Sequence, residues 1–228
     1  MNITNDKVTD YITSFYQPLN DTLAGLRNQS EADRIPLILK ETEMLFRTVL
    51  RMTPIRRILE IGTAYGYSSV FFATLLPNAV VTTVESDDMN YQIAMDNIEE
   101  LNLTDRIQIM HGDGEQAMKA LADEKENNET FLPFDLIFID AAKSHYRDFF
   151  DQAERICSEN GLIICDNILM RAFIVDESLD KRRRHRTSVK RMQVFLEYIY
   201  SRNDLDASLI SCGDGLLIIR KKEENEKY

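Results

Sequence analysis

Residues 57–76 read RILEIGTAYGYSSVFFATLL. A short apolar run, RILEI, stops at Gly62, turns through five residues to Gly66, and gives way to an apolar pattern with helical spacing. That reads as strand, turn, helix. The same change of period recurs downstream: VVTTVE (80–85) before MNYQIAMDNIEEL (89–101), RIQIMH (106–111) before EQAMKAL (115–121), and FDLIFID (134–140) before YRDFFDQAERI (146–156), with GLIICD (161–166) closing the series. Strands joined through helices run parallel, and their nearly continuous apolar character means that both faces of the sheet are covered. Pro18, Pro36, Pro54 and Pro77 fall between patterns and Pro133 opens the fourth strand, as expected of residues that break helices.

The flanks complete the expectation. From Lys7 to Arg51 apolar residues recur at helical spacing (Val8, Tyr11, Ile12, Phe15, then Met44, Leu45, Thr48, Val49), which predicts N-terminal helices lying over the site. After Asp166 a charged stretch from Arg171 to Arg191 leads into a helix through Val194, Phe195 and Tyr198, and DASLIS and GLLIIRK flank Cys212-Gly213-Asp214-Gly215 as a hairpin. The predicted fold class is α/β: a mostly parallel seven-stranded sheet with helices on both faces, a terminal antiparallel hairpin and an N-terminal helical extension. The chain reads as one domain, with a helical cap over 1–52, an α/β core over 53–222 and a frayed tail over 223–228. Met44, Met89, Met95, Met118 and Met192 lie on helical patterns and read as core filler.

Composition narrows the function. The 228 residues are 44% apolar and 29% charged, which excludes a disordered segment. A net charge of −11 argues against a protein that coats nucleic acid with its whole surface. That acidity hides a local reversal: seven basic residues and no acid lie between Lys181 and Arg191, so the rest of the chain carries −18. Cys157, Cys165 and Cys212 have neither paired spacing nor histidine partners at zinc-site distances, which predicts reduced thiols and a cytoplasmic protein. MNITNDKVTDYITSFYQ lacks the basic start and apolar core of an export signal, and no run has the roughly 18 apolar residues of a membrane span.

In such a sheet, ligands bind outside the carboxyl ends of the strands. The first loop is Gly-x-x-x-Gly, without the second glycine that lets a pyrophosphate lie on the helix N-terminus, and this counts against a nicotinamide dinucleotide. Glu85 ends the second strand, where a carboxylate can accept both ribose hydroxyls of a nucleoside; a solvated acid at a strand end fits that position equally well. Loop and carboxylate together point to a nucleoside without pyrophosphate, of which S-adenosylmethionine is the common one. Asp140 closes the fourth strand and Asp166 with Asn167 the fifth, so three oxygen donors suited to a hard cation such as Mg²⁺ meet at one edge. Lys143 follows Asp140 closely enough to face the same site as a base, and an exposed structural lysine fits that spacing as well. His111, His145 and His185 share no ligand spacing and read as surface or packing residues.

The combination LEIGTAYGYSSVFFA, VESDD, GDGEQ, DLIFIDAAKSHY and CDN resembles the cation-dependent, catechol-type class I O-methyltransferases from about Ile35 to Lys222. IPLILKETEML, KRRRH and CGDGLLIIRKK make the bacterial tRNA 5-hydroxyuridine methyltransferases the nearest resemblance within that family. The resemblance implies a Rossmann-like methyltransferase fold, a cytoplasmic homodimer, Asp140, Asp166 and Asn167 as ligands of Mg²⁺ or another divalent cation, and Lys143 as the catalytic base. It implies a cofactor set for S-adenosylmethionine of Ile38, Glu60, Gly62, Ser68, Glu85, Asp113, Gly114 and Asp140: Glu85 on the ribose, Ser68 near the methionine carboxylate, Asp113 and Gly114 around the adenine. Arg182, Arg183 and Arg184 become the residues expected to hold tRNA. The competing expectations are the same chemistry on a small catechol or phenylpropanoid, an RNA-binding protein that uses the fold without catalysis, and a nicotinamide oxidoreductase.

Overall fold

The computed structural model describes residues 5–182 and 184–223. Seven strands, β1 (Arg57–Ile61), β2 (Val80–Glu85), β3 (Ile107–His111), β4 (Phe134–Ile139), β5 (Cys157–Cys165), β6 (Leu205–Ile210) and β7 (Leu216–Lys221), form one sheet in the order β3-β2-β1-β4-β5-β7-β6. Strands β1 to β5 pair in parallel, whereas β7 runs antiparallel to both β5 and β6. The helices α4 (Tyr67–Leu75), α5 (Asp88–Glu100), α6 (Gly114–Asn127) and α7 (Tyr146–Ile156) connect the parallel strands, and α8 (Arg186–Ser201) leads to the hairpin. The chain reverses at β1, where β2 lies to one side and β4 to the other, and such a reversal opens a crevice at the strand ends.

Each strand presents alternate residues to opposite faces, and the core divides accordingly. Leu59, Ile61, Ile137, Ile139 and Ile163 pack with Phe150 of α7 and Phe195 of α8. Ile58, Leu136, Phe138 and Ile164 pack on the other face with Phe71 and Phe72 of α4. Three N-terminal helices, α1 (Asp6–Thr13), α2 (Asp21–Ala32) and α3 (Lys40–Val49), form the cap, with Phe46 of α3 edge-on to Phe138 at 5.6 Å between ring centres. Asn5 and Asn20 cap α1 and α2, accepting from Lys7 N and Leu23 N at 3.0 and 2.9 Å.

A buried ionic cluster fastens the cap to the core. Arg27 of α2 donates to Glu43 of α3 at 2.7 Å, and the same carboxylate oxygen accepts from the hydroxyls of Tyr16 and of Tyr67, the first residue of α4. Arg47 pairs with the other carboxylate oxygen. Paired in this way, Glu43 stays ionised although it is wholly buried: despite the opposing effect of burial, its partners lower its pKa below the usual carboxylate value.

Three expectations change. The α8 helix begins at Arg186, so the basic run divides between loop and first helical turns. Strand β5 begins at Cys157, four residues before Gly161, because Phe134 of β4 pairs with it there. Met118 and Met192 are core residues, but Met89 is largely solvated because it sits in the first turn of α5, off the face turned to the sheet. Residues 224–228, most of the predicted tail, lie outside the described residues.

Candidate active site

The strand ends are stepped by hydrogen bonds between successive loops. Gly62 N donates to Val84 O, Asp140 N to Ile61 O and Asp166 N to Ile139 O, each at 3.0 Å, so the residues after β1, β4 and β5 stand side by side. Gly62 is required for a packing reason: at φ +103° an added Cβ would lie 2.1 Å from the Asp140 carbonyl oxygen. The crevice above these ends is a cavity of about 550 Å³.

Most of the expected cofactor residues line it. Ile38 contributes from the cap, its carbonyl held by Arg27 at 3.1 Å, and Ser68 from the first turn of α4. Glu85 is buried on the wall, accepting from Ala64 N at 2.7 Å and from Ser86 N and Asp87 N at 2.9 Å. Its Oε1 takes both of the latter two bonds, whereas Oε2, bonded to Ala64 N alone, keeps a lone pair free for a further donor. Asp113 caps α6 through Gln116 N at 3.0 Å, and Gly114 beside it also faces the cavity. The exception is Glu60, which does not line the cavity. Strand alternation turns it to the face covered by α4, where it accepts from Thr83 at 2.7 Å and from Ser69. Its other oxygen is buried without a partner, and burial raises the carboxyl to about 7.

At the far end of the cavity Lys143 Nζ and Asn167 Nδ2 each donate to Asp140 Oδ1 at 3.0 Å. Asp166, almost fully buried, accepts from Asn167 N at 2.6 Å, and burial together with the nearby Asp140 charge pushes its carboxyl up to about 7. Two carboxylates forced together beside a rotatable amide are a hard-donor set whose mutual repulsion a divalent cation would relieve, so the residues fit the implied metal. Tyr146 is a site residue that sequence reasoning missed. Its buried hydroxyl donates to Asp166 O at 2.7 Å and accepts from Lys143 at 3.0 Å, tying Lys143 to the loop after β5. Its only signal was its place three residues after Lys143.

At Asn167 the backbone enters the left-handed region, with φ of 59°, and it returns there at Met170, Arg171 and Ala172, with φ of 48°, 56° and 64°. Non-glycine residues there cost about 1–3 kcal/mol each, so something must hold them. The β6–β7 turn does so: Asp214 accepts from Arg171 N at 2.5 Å, and Ile168 N and Leu169 N donate to Gly215 O and Asp214 O at 2.9 Å. Gly215, at φ +88°, permits this approach, since an added Cβ would meet Leu169 Cγ at 2.4 Å.

Arg182 and Arg184 are exposed, with no ion-pair partner among the described residues; Arg183 lies outside the described residues. The histidines are all ring or ion-pair partners near the surface. His111 stacks on Tyr91, His185 stacks on Phe173, and His145 lies 3.2 Å from Glu115 and 3.8 Å from Asp148.

Residues 16–222 match the model of a family described as O-methyltransferase. The chain belongs to that family. A catechol O-methyltransferase from Niastella koreensis is 31% identical over 176 residues, covering 76% of this chain and 77% of that protein. A caffeoyl-CoA O-methyltransferase from Populus kitakamiensis is 28% identical, over 76% of this chain and 73% of its own length. An O-methyltransferase from Bacillus cereus, solved in complex with SAH (S-adenosylhomocysteine), superposes with a TM-score of 0.77 at 27% identity, covering 95% of this chain and 97% of the other. The protein is thus an S-adenosylmethionine-dependent O-methyltransferase. Among the described residues no helix is long and apolar enough to cross a membrane.

Proposed function

We propose that this O-methyltransferase acts in the cytoplasm, with a divalent cation, on the 5-hydroxyl of 5-hydroxyuridine at the wobble position of tRNA, producing 5-methoxyuridine. The observation that carries the reading is that Asp140, Lys143 and Asn167 line the 550 Å³ cavity, which we take as the donor's, with the almost fully buried Asp166 accepting from Asn167 N beside them. Asp140, Asp166 and Asn167 would hold the cation, most simply Mg²⁺. S-adenosylmethionine supplies an electrophilic methyl group, and a bound cation makes a coordinated hydroxyl more acidic. Glu85, Asp113 and Ser68 orient the donor from the walls of its cavity. Lys143, positioned by Asp140 and Tyr146, takes the hydroxyl proton on Nζ. A 5-hydroxyuracil ring offers its hydroxyl and adjacent carbonyl as vicinal oxygens, much as a catechol offers two hydroxyls.

The substrate follows from charge. An acidic body repels a polyanion, so an RNA substrate needs one concentrated site of attraction, and the run from Lys181 to Arg191 supplies it. The relatives named for catechol and caffeoyl-CoA favour a second reading, O-methylation of a small catechol or phenylpropanoid; a neutral catechol has no use for the basic run, whereas the phosphates of a coenzyme A thioester would. We also infer a homodimer. Val8, Tyr11, Ile12 and Phe15 recur at helical spacing along α1 and beyond it, and all four are exposed, an apolar stripe that a second copy would cover. Mass spectrometry of tRNA nucleosides from a deletion strain tests the substrate. Loss of 5-methoxyuridine with accumulation of 5-hydroxyuridine is expected, and an unchanged profile would leave the small-molecule reading.

A further inference from the structure

Another cavity, of about 270 Å³, shares Lys143, Asn167 and Arg171 with the donor cavity. Arg171, Phe173 and His185 line it, and Arg171 also borders the donor cavity. We propose that these three residues form a subsite for single-stranded RNA beside the modified base: the Phe173–His185 ring pair is a platform for the neighbouring nucleobase, and the Arg171 guanidinium binds the phosphate between the two nucleotides. The inference rests on the RNA reading of the substrate.

The rings of Phe173 and His185 lie 5.5 Å apart between centres and 25° from parallel, a stacked pair. Phe173 is half-buried and His185 exposed, so the pair is backed by protein and ends in a free aromatic face. His185 is carried on fixed backbone, its N–H donating to Asp180 at 2.8 Å, and the Phe173 loop is pinned to α8 by Gln193, which donates to Ile174 O at 2.8 Å. Histidine and phenylalanine are among the side chains on which unstacked RNA bases settle, and stacking tolerates any base. Arg171 is held in left-handed backbone by the Asp214 carboxylate, which accepts its N–H, while its guanidinium makes no hydrogen bond or ion pair with another described side chain. A cation kept on a costly backbone at the junction of both cavities suits an anion that arrives with the acceptor. His185 stands in sequence between Arg184 and Arg186, so the platform continues into the basic run.

Binding of a short dye-labelled oligouridylate to the full chain, titrated over a series of salt concentrations, tests the subsite. His185→Ala should weaken binding roughly 5- to 150-fold, the effect expected of removing one stacked base, and leave the salt slope unchanged. His185→Phe should restore affinity. Arg171→Ala should weaken binding and flatten the log-log salt slope by about 0.7, as expected when one phosphate is no longer neutralised. Because His185 is exposed, its variant reports even if Phe173→Ala fails to fold. Wild-type affinity in both His185→Ala and Arg171→Ala would overturn the subsite while leaving the RNA reading in place. No binding of oligouridylate by the wild-type protein, with methylation of a small catechol, would overturn both.

Discussion

Lys143 stands between two acceptors, the Asp140 carboxylate and the Tyr146 hydroxyl, so its Nζ is oriented before any substrate arrives. Lys143→Ala should therefore lower kcat by roughly 10²- to 10⁴-fold, the usual effect of removing an acid–base group, with little change in S-adenosylmethionine affinity measured by calorimetry. Unchanged turnover would remove the base from the mechanism. Glu60 yields a prediction about stability. Its carboxyl is raised from 4.5 to about 7 in the folded protein, so the folded state keeps a proton that the unfolded chain releases, and stability falls as pH rises through that interval. The full cost, about 3 kcal/mol, is present above pH 7. Glu60→Gln, which cannot ionise, should accordingly unfold at higher temperature than wild type at pH 8, with the gap closing toward pH 4; a gap independent of pH would contradict the assignment. These two residues also mark what a sequence discloses about a site. Lys143, Asp140 and Asp166 were legible because strand ends and their loops can be counted off a chain. Glu60 was drawn to the cofactor by its motif, but strand alternation sends its side chain to the opposite face from Leu59 and Ile61. Tyr146, Arg171 and the Arg27–Glu43 cluster owe their roles to interactions between distant segments, which spacing along one element does not encode.

At the scale of elements, the parallel strands and their helices were legible from apolar period and prolines, and the hairpin from its glycines. The connection between β5 and α8 was not: its left-handed turn is imposed by the β6–β7 turn more than forty residues away. That connection leads into the basic run, so the run's charges follow a segment bonded to Asp214 and to Gln193 of α8. The combined change Arg182→Ala, Arg183→Ala and Arg184→Ala should weaken tRNA binding and reduce its salt slope by about 0.7 for each phosphate no longer neutralised, because every neutralised phosphate releases counterions. Methylation of a small catechol, if the wild type supports it, should change far less. Equal tRNA affinity and equal slope would make the run a solvated face and favour the small-molecule reading.

For the whole molecule, the cap joins two tasks. Its inner side closes the donor cavity through Ile38 and the Arg27–Glu43–Tyr67 cluster, and its outer side exposes the α1 stripe. If a second copy covers that stripe, Tyr11→Asp together with Phe15→Asp should convert a dimer into a monomer by light scattering after gel filtration; an unchanged mass would place the dimer interface elsewhere or remove it. In the proposed reaction one sheet edge joins a methyl donor, a cation and an RNA hydroxyl. The direct measurement incubates the purified protein with S-adenosylmethionine, Mg²⁺ and tRNA bearing 5-hydroxyuridine, and follows the nucleosides by mass spectrometry. Conversion to 5-methoxyuridine that stops on exhaustive chelation and in Asp166→Ala is the predicted result; 5-hydroxyuridine left intact while catechol is methylated, or full conversion in chelator, would contradict it.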